Sequence, residues 1–469
     1  MASVSALRTL SGPCHTARLR LARSPSTLTG ISPTSSRSSS STASSYLLLS
    51  HNNHNRSAVD GMRYLSTLPP RVGQRIAHQL MTKATYSTAA EQPASGSGPT
   101  KFVYNIAASY VAKGRPFNPS THVFHFNPYH RVSKPGKKAK SARPESGQDA
   151  FFVSRVGNKP GEVALGVADG VGGWMDSGVD PADFSHAFCD YMAAAAYEND
   201  KQPTKVAAAA AANGSPAVGG GSGNSSSGEA PLTARSLMQK GYEAVCHDPT
   251  IKAGGSTAVV GMLDESGTME VANLGDSGFI ILRLNGVHTA SEPQTHAFNT
   301  PFQLSVVPPS MLLRAATFGG GLLIDQPRDA DVTRHKLKHG DVVVFGSDGL
   351  WDNLFNQDIL RLVSSTMQKL GAWKGTDAGV QVAEDLTPFT KLDSDDKPIF
   401  TLQSFIATHI VSAAKSASMN AKLDGPFAKE VKKYYPQDAW HGGKEDDICV
   451  VVVLVSEEPA DMATPKARL

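Results

Sequence analysis

The chain is poor in cysteine and aromatic residues, has no long apolar run, and carries no acidic residue in its first fifty-nine positions. Cys14, Cys189, Cys246 and Cys449 lie far apart in 469 residues and form no CxxC pair, which argues against a zinc site and against a disulfide framework. The longest apolar runs, such as Ile448 to Val455, fall well short of the roughly 20 residues that a membrane helix needs. A soluble protein without a transmembrane segment is expected. The formal net charge is only +3, and no stretch interleaves clustered Lys and Arg with aromatic residues, so nucleic acid is not an expected partner. Hydrophobic residues make up 40% and charged residues 19%. That composition allows one folded body, while the Ser, Gly and Ala excess points to extensions that cannot build a core.

From Met1 to Val59, Arg8, Arg18, Arg20, Arg23, Arg37 and Arg56 are scattered among Ser and Thr, and Asp60 is the only acid before Glu91. An import machine driven by membrane potential favours cationic, acid-poor segments, so residues 1–90 are expected to be a mitochondrial transit peptide or disordered leader, with the matrix as destination. The segment Arg63, Tyr64, Leu65, Ser66 resembles a matrix processing site. A plain disordered basic tail is the alternative. Residues 91–101 read as a Pro/Gly/Ser linker, and the basic run Lys134 to Arg143 as a solvated loop.

Past the linker, short β-branched segments bounded by Gly or Asp turns predict strands at Ala150 to Val156, Val163 to Ala168, Ser256 to Leu263, Met269 to Leu274, Gly278 to Leu284, Asp341 to Phe345 and Ile448 to Val455. Asp180 followed by Pro181 predicts a capped helix with Phe184, Phe188, Tyr191, Met192 and Ala195 on one stripe. Thr233 opens a second helix with Leu237, Gly241, Ala244 and Val245 on one face. Between them, residues 206–230 are Ala-rich and then Gly/Ser-rich, too small to pack, and read as a low-complexity insertion. The expected class is α+β, with two sheets face to face as one solution.

Several of these strands stop at acids. VALGVADGVGGW ends at Asp169-Gly170, VANLGDSG places Asp276, VVVFGSDGLWDN places Asp348 and Asp352, and KEDDICVVVVLV opens with Asp446 and Asp447. Each Asp-Gly alone is an ordinary turn. Together they could bring carboxylates to one rim of buried sheet, where like charges repel unless a cation neutralises them. Oxygen ligands without His or Cys favour Mg²⁺ or Mn²⁺ over zinc. Two such ions can share a hydroxide, lower its pKa and stabilise in-line attack on phosphorus, which suits phosphate ester hydrolysis.

GVADGVGGW, GGSTAVVGML, ANLGDSGFIILR, FGSDGLWDN and EDDICVVVV stand in the order and spacing of the metal-dependent (PPM, type 2C) protein phosphatases, which the chain resembles from about Phe102 to Val455. GVDPADFS and FNTPFQLS make it most similar to the mitochondrial, T-cell-activation-like (PTC7-type) branch. The resemblance implies a protein serine/threonine phosphatase domain over residues 102–458, with 459–469 as a tail. Its fold would be a sandwich of two antiparallel sheets flanked by helices, with metals in a cleft at one end. It implies that Asp169 bridges two ions, that the Gly170 carbonyl, Asp348 and Asp446 are further ligands, and that Asp149 acts through metal-bound water. Asp276 and Asp352 match positions supporting a weaker third ion. Mitochondrial phosphoproteins are the implied substrates, enzymes of ubiquinone biosynthesis among them.

Three positions depart from that pattern. Val171 stands where the commonest version has His, a candidate general acid, and a general acid typically contributes about 10²- to 10⁴-fold; His296 is one substitute. Gln148 replaces a Glu, and Arg143 lies six residues before Asp149 instead of the five expected of a phosphate-binding Arg. Two rival readings are a serine hydrolase, from NLGDSGF, and a pseudophosphatase that binds phosphoproteins as a scaffold.

Overall fold

The computed structural model describes residues 100–128, 136–199, 231–318, 322–391 and 400–459. The leader 1–90, the linker residues 91–99, the insertion 206–230 and the tail beyond Pro459 lie outside the described residues. Eleven strands build two antiparallel sheets. They are β1 (Thr100–Val111), β2 (Val123–His125), β3 (Asp149–Val156), β4 (Lys159–Asp169), β5 (Ala258–Leu263), β6 (Thr268–Leu274), β7 (Gly278–Arg283), β8 (Gly286–Ala290), β9 (Asp331–Lys336), β10 (Val342–Gly346) and β11 (Ile448–Pro459). One sheet runs β2-β1-β11-β10-β7-β8 and the other β9-β6-β5-β4-β3.

The apolar run of β11 is continuous because both its faces are covered. Ile448, Val450, Val452 and Leu454 face a helical layer, while Cys449, Val451, Val453 and Val455 face the opposite sheet. In β4, Ala164 and Ala168 turn to helices and Val163, Leu165 and Val167 turn inward between the sheets. The result is four layers, helix, sheet, sheet, helix, with three apolar interfaces. Each fully buried Val, Leu or Ile stabilises by about 1.5–3 kcal/mol relative to exposure.

Helices α1 (Pro181–Tyr197) and α2 (Ala234–His247) cover the five-stranded sheet. They begin where the sequence predicts. The Asp180 carboxylate accepts from the Ala182 N–H at 3.1 Å with Pro181 at the first position, and Thr233 and Ser236 form a reciprocal cap. On the six-stranded sheet lie α5 (Asn356–Lys369) and α6 (Leu402–Ser418), whose apolar stripes join the same core as β11. Three more helices complete the set used below: α3 (Pro309–Phe318), the single turn α4 (Asp348–Trp351), and α7 (Pro426–Tyr434). No helix among the described residues is long and apolar enough to cross a membrane.

Two expectations shift. Strand β1 begins at Thr100, inside the segment read as linker, because it pairs along its whole length with β11, from Thr100↔Pro459 to Val111↔Ile448. The strand expected at Ser256 to Leu263 is broken at Thr257, whose N–H donates to the Asp169 carbonyl at 2.9 Å. Gly254–Ser256 then pairs with Leu304–Val306.

Candidate metal centre

Antiparallel register decides where the acids go. Asp149, the first residue of β3, lies directly opposite Asp169, the last of β4. At that same end, β6 finishes at Leu274 opposite Ala258, and Asp276 follows in the turn that crosses to β7 in the other sheet. In the six-stranded sheet Gly346, the last residue of β10, pairs with both Gly278 and Val450, so Asp348 and Asp446 emerge beside that turn. The rim therefore collects Asp149, Asp169, Asp276, Asp348 and Asp446, with Asp352 one turn beyond Asp348 and donating its N–H to the Asp348 carbonyl at 2.7 Å.

Asp149 and Asp169 are held from behind, one by its carboxylate and one by its backbone. Asp149 is fully buried; its Oδ2 accepts from the Ser347 hydroxyl at 2.6 Å, and Ser347 Oγ accepts from the Cys449 N–H at 3.0 Å. The Asp169 N–H donates to Thr257 Oγ1 at 3.2 Å. Gly170 sits so close to the Gln148 carbonyl and to Pro181, both 2.9 Å from where a Cβ would stand, that no side chain fits there. Asp447 is structural: its carboxylate accepts from the Lys113 N–H at 2.6 Å and the Gln148 N–H at 2.7 Å, tying β11 to the ends of β1 and β3.

Burial raises Asp149 and Asp169 well above the carboxylate range, and neighbouring acids raise them further: chiefly Asp447 for Asp149, and Asp348 for Asp169. Burial pushes Asp276 up to about 8, with the Asp348 charge adding to it. Asp352 is pushed to about 7, mainly by burial and against the pull of Lys444. Asp348 goes the other way. Burial opposes its charge, but the Lys444 ammonium and a hydrogen bond shared with Asp169 outweigh that and keep it low. One oxygen each of Asp149 and Asp276 is buried with no hydrogen-bond partner. Unpartnered, mutually repelling oxygens and a donor set free of His and Cys fit a hard divalent cation.

Proton and cation therefore compete for these oxygens. Carboxylic acids raised in the folded state stabilise it below the unfolded carboxylate value, and that contribution is lost as pH rises through about 7 to 8. Divalent binding must expel those protons. Affinity for Mn²⁺ is thus expected to climb between about pH 6 and 8, approaching tenfold per unit for each proton released. Isothermal titration at several pH values checks this; a flat affinity would contradict the buried protonated acids.

Among the described residues no three His, Cys, Asp or Glu side chains are gathered as a closed metal cage. Lys444 reaches between the acids, its Nζ 2.5 Å from Asp348 Oδ2, 2.7 Å from Asp352 Oδ2 and 3.2 Å from Asp446 Oδ2. In the sequence nothing in HGGKEDD marks this lysine as buried. Lys113 was equally unmarked; it stands half-exposed with Nζ 3.7 Å from Asp446 Oδ1.

The departures are placed as follows. Val171 follows Gly170 and its N–H donates to the Gly255 carbonyl at 3.0 Å. The Gln148 side-chain amide turns to the Met175 sulfur at 3.1 Å. Arg143 spends its guanidinium on Asp183 of α1 at 2.9 Å, so its placement serves helix docking. His296 pairs with Asp325 at 2.9 Å and stacks on Phe302. The Ser277 hydroxyl, read as a possible nucleophile, is buried against the Thr257 hydroxyl at 2.7 Å instead of an imidazole.

No protein-family model matches the chain. It is 30% identical over 350 residues to "Protein phosphatase 2C homolog 7, mitochondrial" of Saccharomyces cerevisiae, covering 74% of this chain and 86% of that protein. It is 32% identical over 326 residues to "Protein phosphatase PTC7 homolog fig" of Drosophila ananassae, covering 69% and 78%. Among solved structures, that of the photosystem II phosphatase PBCP is 21% identical with a TM-score of 0.46, covering 75% of this chain and 98% of that one. The chain belongs to the metal-dependent, type 2C (PPM) protein phosphatases. It falls in their PTC7-type branch and is a protein phosphatase.

Proposed function

We propose that the chain hydrolyses phosphoserine and phosphothreonine in proteins at a two-ion centre of Mg²⁺ or Mn²⁺ held by Asp169, the Gly170 carbonyl, Asp348 and Asp446. The observation that carries this reading is the register that sets Asp149 against Asp169 and delivers Asp348 and Asp446 to the same rim. When bound, such ions would lower the pKa of water and neutralise negative charge on the phosphoryl oxygens. The chain's own residues position that chemistry. Ser347 fixes Asp149 behind the pair, Thr257 fixes the Asp169 backbone, and the lack of a side chain at Gly170 lets the chain pass against the Gln148 carbonyl and Pro181. Lys113, half-exposed at the edge, supplies a cation toward which a phosphate can be drawn.

Chelator-stripped protein is expected to hydrolyse p-nitrophenyl phosphate and a phosphothreonine peptide on addition of Mn²⁺ or Mg²⁺, and to stop on addition of EDTA. Full activity in EDTA would sink the metal-centred reading. Val171 favours one second reading, because a hydrocarbon next to Gly170 cannot give a proton to the leaving group. On that reading the protein binds phosphoproteins as a pseudophosphatase, and it predicts phosphopeptide binding with no turnover in either metal.

The acid-poor leader and the mitochondrial relative support a mitochondrial protein, with the matrix as its place. Its substrates are then mitochondrial phosphoproteins, with enzymes of ubiquinone biosynthesis as one class to test. A fluorescent fusion of residues 1–90 is expected to enter mitochondria; a cytosolic signal refutes the targeting.

A further inference from the structure

Lys444 is the least expected group at the rim. Its backbone is fixed twice by one side chain: Asn353 Nδ2 donates to the Lys444 carbonyl at 2.8 Å, and the Lys444 N–H donates to Asn353 Oδ1 at 3.0 Å. Asn353 is itself buried and anchored by a further bond to the Gly349 carbonyl at 2.9 Å. The stem is then directed inward, and the ammonium lies 5.1 Å from the centre of the Phe427 ring on α7. Phe427 in turn is locked by its N–H, which donates to the Asp352 carbonyl at 3.0 Å. The lysine side chain is only 15% exposed. A lysine held this firmly has lost most of its rotamer freedom, which something in the folded state must offset.

The offset is charge. The ammonium makes contacts with Asp348, Asp352 and Asp446 at 2.5, 2.7 and 3.2 Å. It is placed on one side of the rim. Asp348 and Asp352 carry the shortest contacts, and the Asp149–Asp169 pair lies across the β3–β4 register. Asp149, Asp276 and Asp352 are the acids left over once Asp169, Asp348 and Asp446 are assigned to two ions, and of these only Asp352 touches the lysine. Lys444 Nζ contacts Oδ2 of Asp348 and of Asp446, which leaves Oδ1 of each for the two-ion centre, whereas a further ion drawn between Asp348 and Asp352 would meet the tethered ammonium there, and two cations in contact repel strongly at low dielectric.

We propose that Lys444 takes the place of a third divalent ion, so that this chain balances its excess carboxylates with a covalently attached cation and holds two exchangeable ions only. The proposal rests on the two-ion centre proposed above. Lysine is suited to the task because its compact ammonium offers three donors, one for each of the three acids it touches. Unlike an ion, it cannot be lost to dilution or chelation. Lys444 is thus a positioning residue: it fixes Asp348 and Asp446 at the rim before any ion arrives.

The test is Mn²⁺ titration of the chelator-stripped full chain by calorimetry, alongside Lys444→Met and Asp352→Asn. Wild type is expected to saturate at two ions, and Asp352→Asn to saturate at two as well. Lys444→Met is expected to take a third ion, or to bind its weakest ion at least tenfold tighter. In EDTA, Lys444→Met should melt below wild type, and saturating Mn²⁺ should close that gap. Identical stoichiometry and constants for wild type and Lys444→Met overturn the proposal, as does a melting deficit that Mn²⁺ leaves unchanged, which would make Lys444 merely structural. If Lys444→Met does not fold, the Asp352→Asn arm decides, because loss of one ion from that variant shows an ion where the lysine is placed. A wild type that takes up no Mn²⁺ overturns the metal centre itself, a result distinct from equal two-ion binding by all variants.

Discussion

Replacing Asp169 by Asn is expected to abolish phosphatase activity and, in EDTA, to raise the melting temperature. Both effects have one cause. Asp169 lies opposite Asp149 in the strand register, its backbone held by Thr257, where burial and the charge of Asp348 oppose its ionisation. In the absence of a cation Asp169 must either carry a charge that burial and Asp348 oppose or take up a proton, each at a cost to folding near neutral pH, and an amide of nearly the same shape avoids both. Each kcal/mol regained should appear as a rise of about 1–2 °C in a domain of this size. With metal present the amide would offer one neutral oxygen where the proposed centre would hold its ions through a carboxylate, and the rate should fall by at least about 10²- to 10³-fold, the range seen when one transition-state stabilising group is removed. Activity measured in Mn²⁺ together with melting curves in EDTA checks both halves. A variant that is inactive and also less stable would mean that Asp169 serves the fold rather than the centre.

Gly349→Ala should be nearly as damaging by a different route. A Cβ at Gly349 would stand 1.9 Å from the Asp447 carbonyl oxygen and 3.0 Å from its carbonyl carbon. Neither is the free end of a side chain that can swing away. Asp447 is pinned by the Lys113 and Gln148 N–H groups, and β11 begins at the next residue. Accommodating one methyl group therefore requires α4 and the start of β11 to separate, carrying Asp348 and Asp446 apart. A loss of about 3 kcal/mol is expected from the overpacking, together with weakened Mn²⁺ binding, read by urea denaturation and calorimetry. Wild-type stability with unchanged Mn²⁺ binding would show that the two segments are looser than their contacts imply.

Much of the centre is legible before any coordinates. Asp169, Asp276, Asp348 and Asp446 each follow or precede an apolar segment of strand length, and a strand buried on both faces places its polar residues at its ends. The Asp180 and Thr233 caps, the strand at Ile448 and the pairing of two helices between strand runs are likewise visible as local chemistry. Asp149 is harder to see, because GQDAFF carries no turn signature and the residue is identified only by family resemblance. Strand β1 hides because Asn105 and Ser109 interrupt its apolar pattern. Ser109 is nevertheless buried, bonding the His122 carbonyl at 2.8 Å, and Asn105 bonds Ser456 across the strands.

What the amino-acid sequence determines by itself is the list of acids, the strands that carry them and the residue types that exclude zinc and favour hard cations. Each of these depends on neighbours within a few positions along the chain. The tertiary structure alone decides which acids do which work. It separates Asp446, which faces the rim, from Asp447, which ties backbone N–H groups together. It draws Arg143 to Asp183 and His296 to Asp325. It also brings Lys444 from the sequence beside Asp446 to within hydrogen-bonding distance of Asp348 and Asp352, nearly a hundred residues earlier. The physical reason is the same in every case: a charged side chain in a buried place is governed by the partners that offset its desolvation, and those partners are set by strand register and layer packing, to which local sequence is blind.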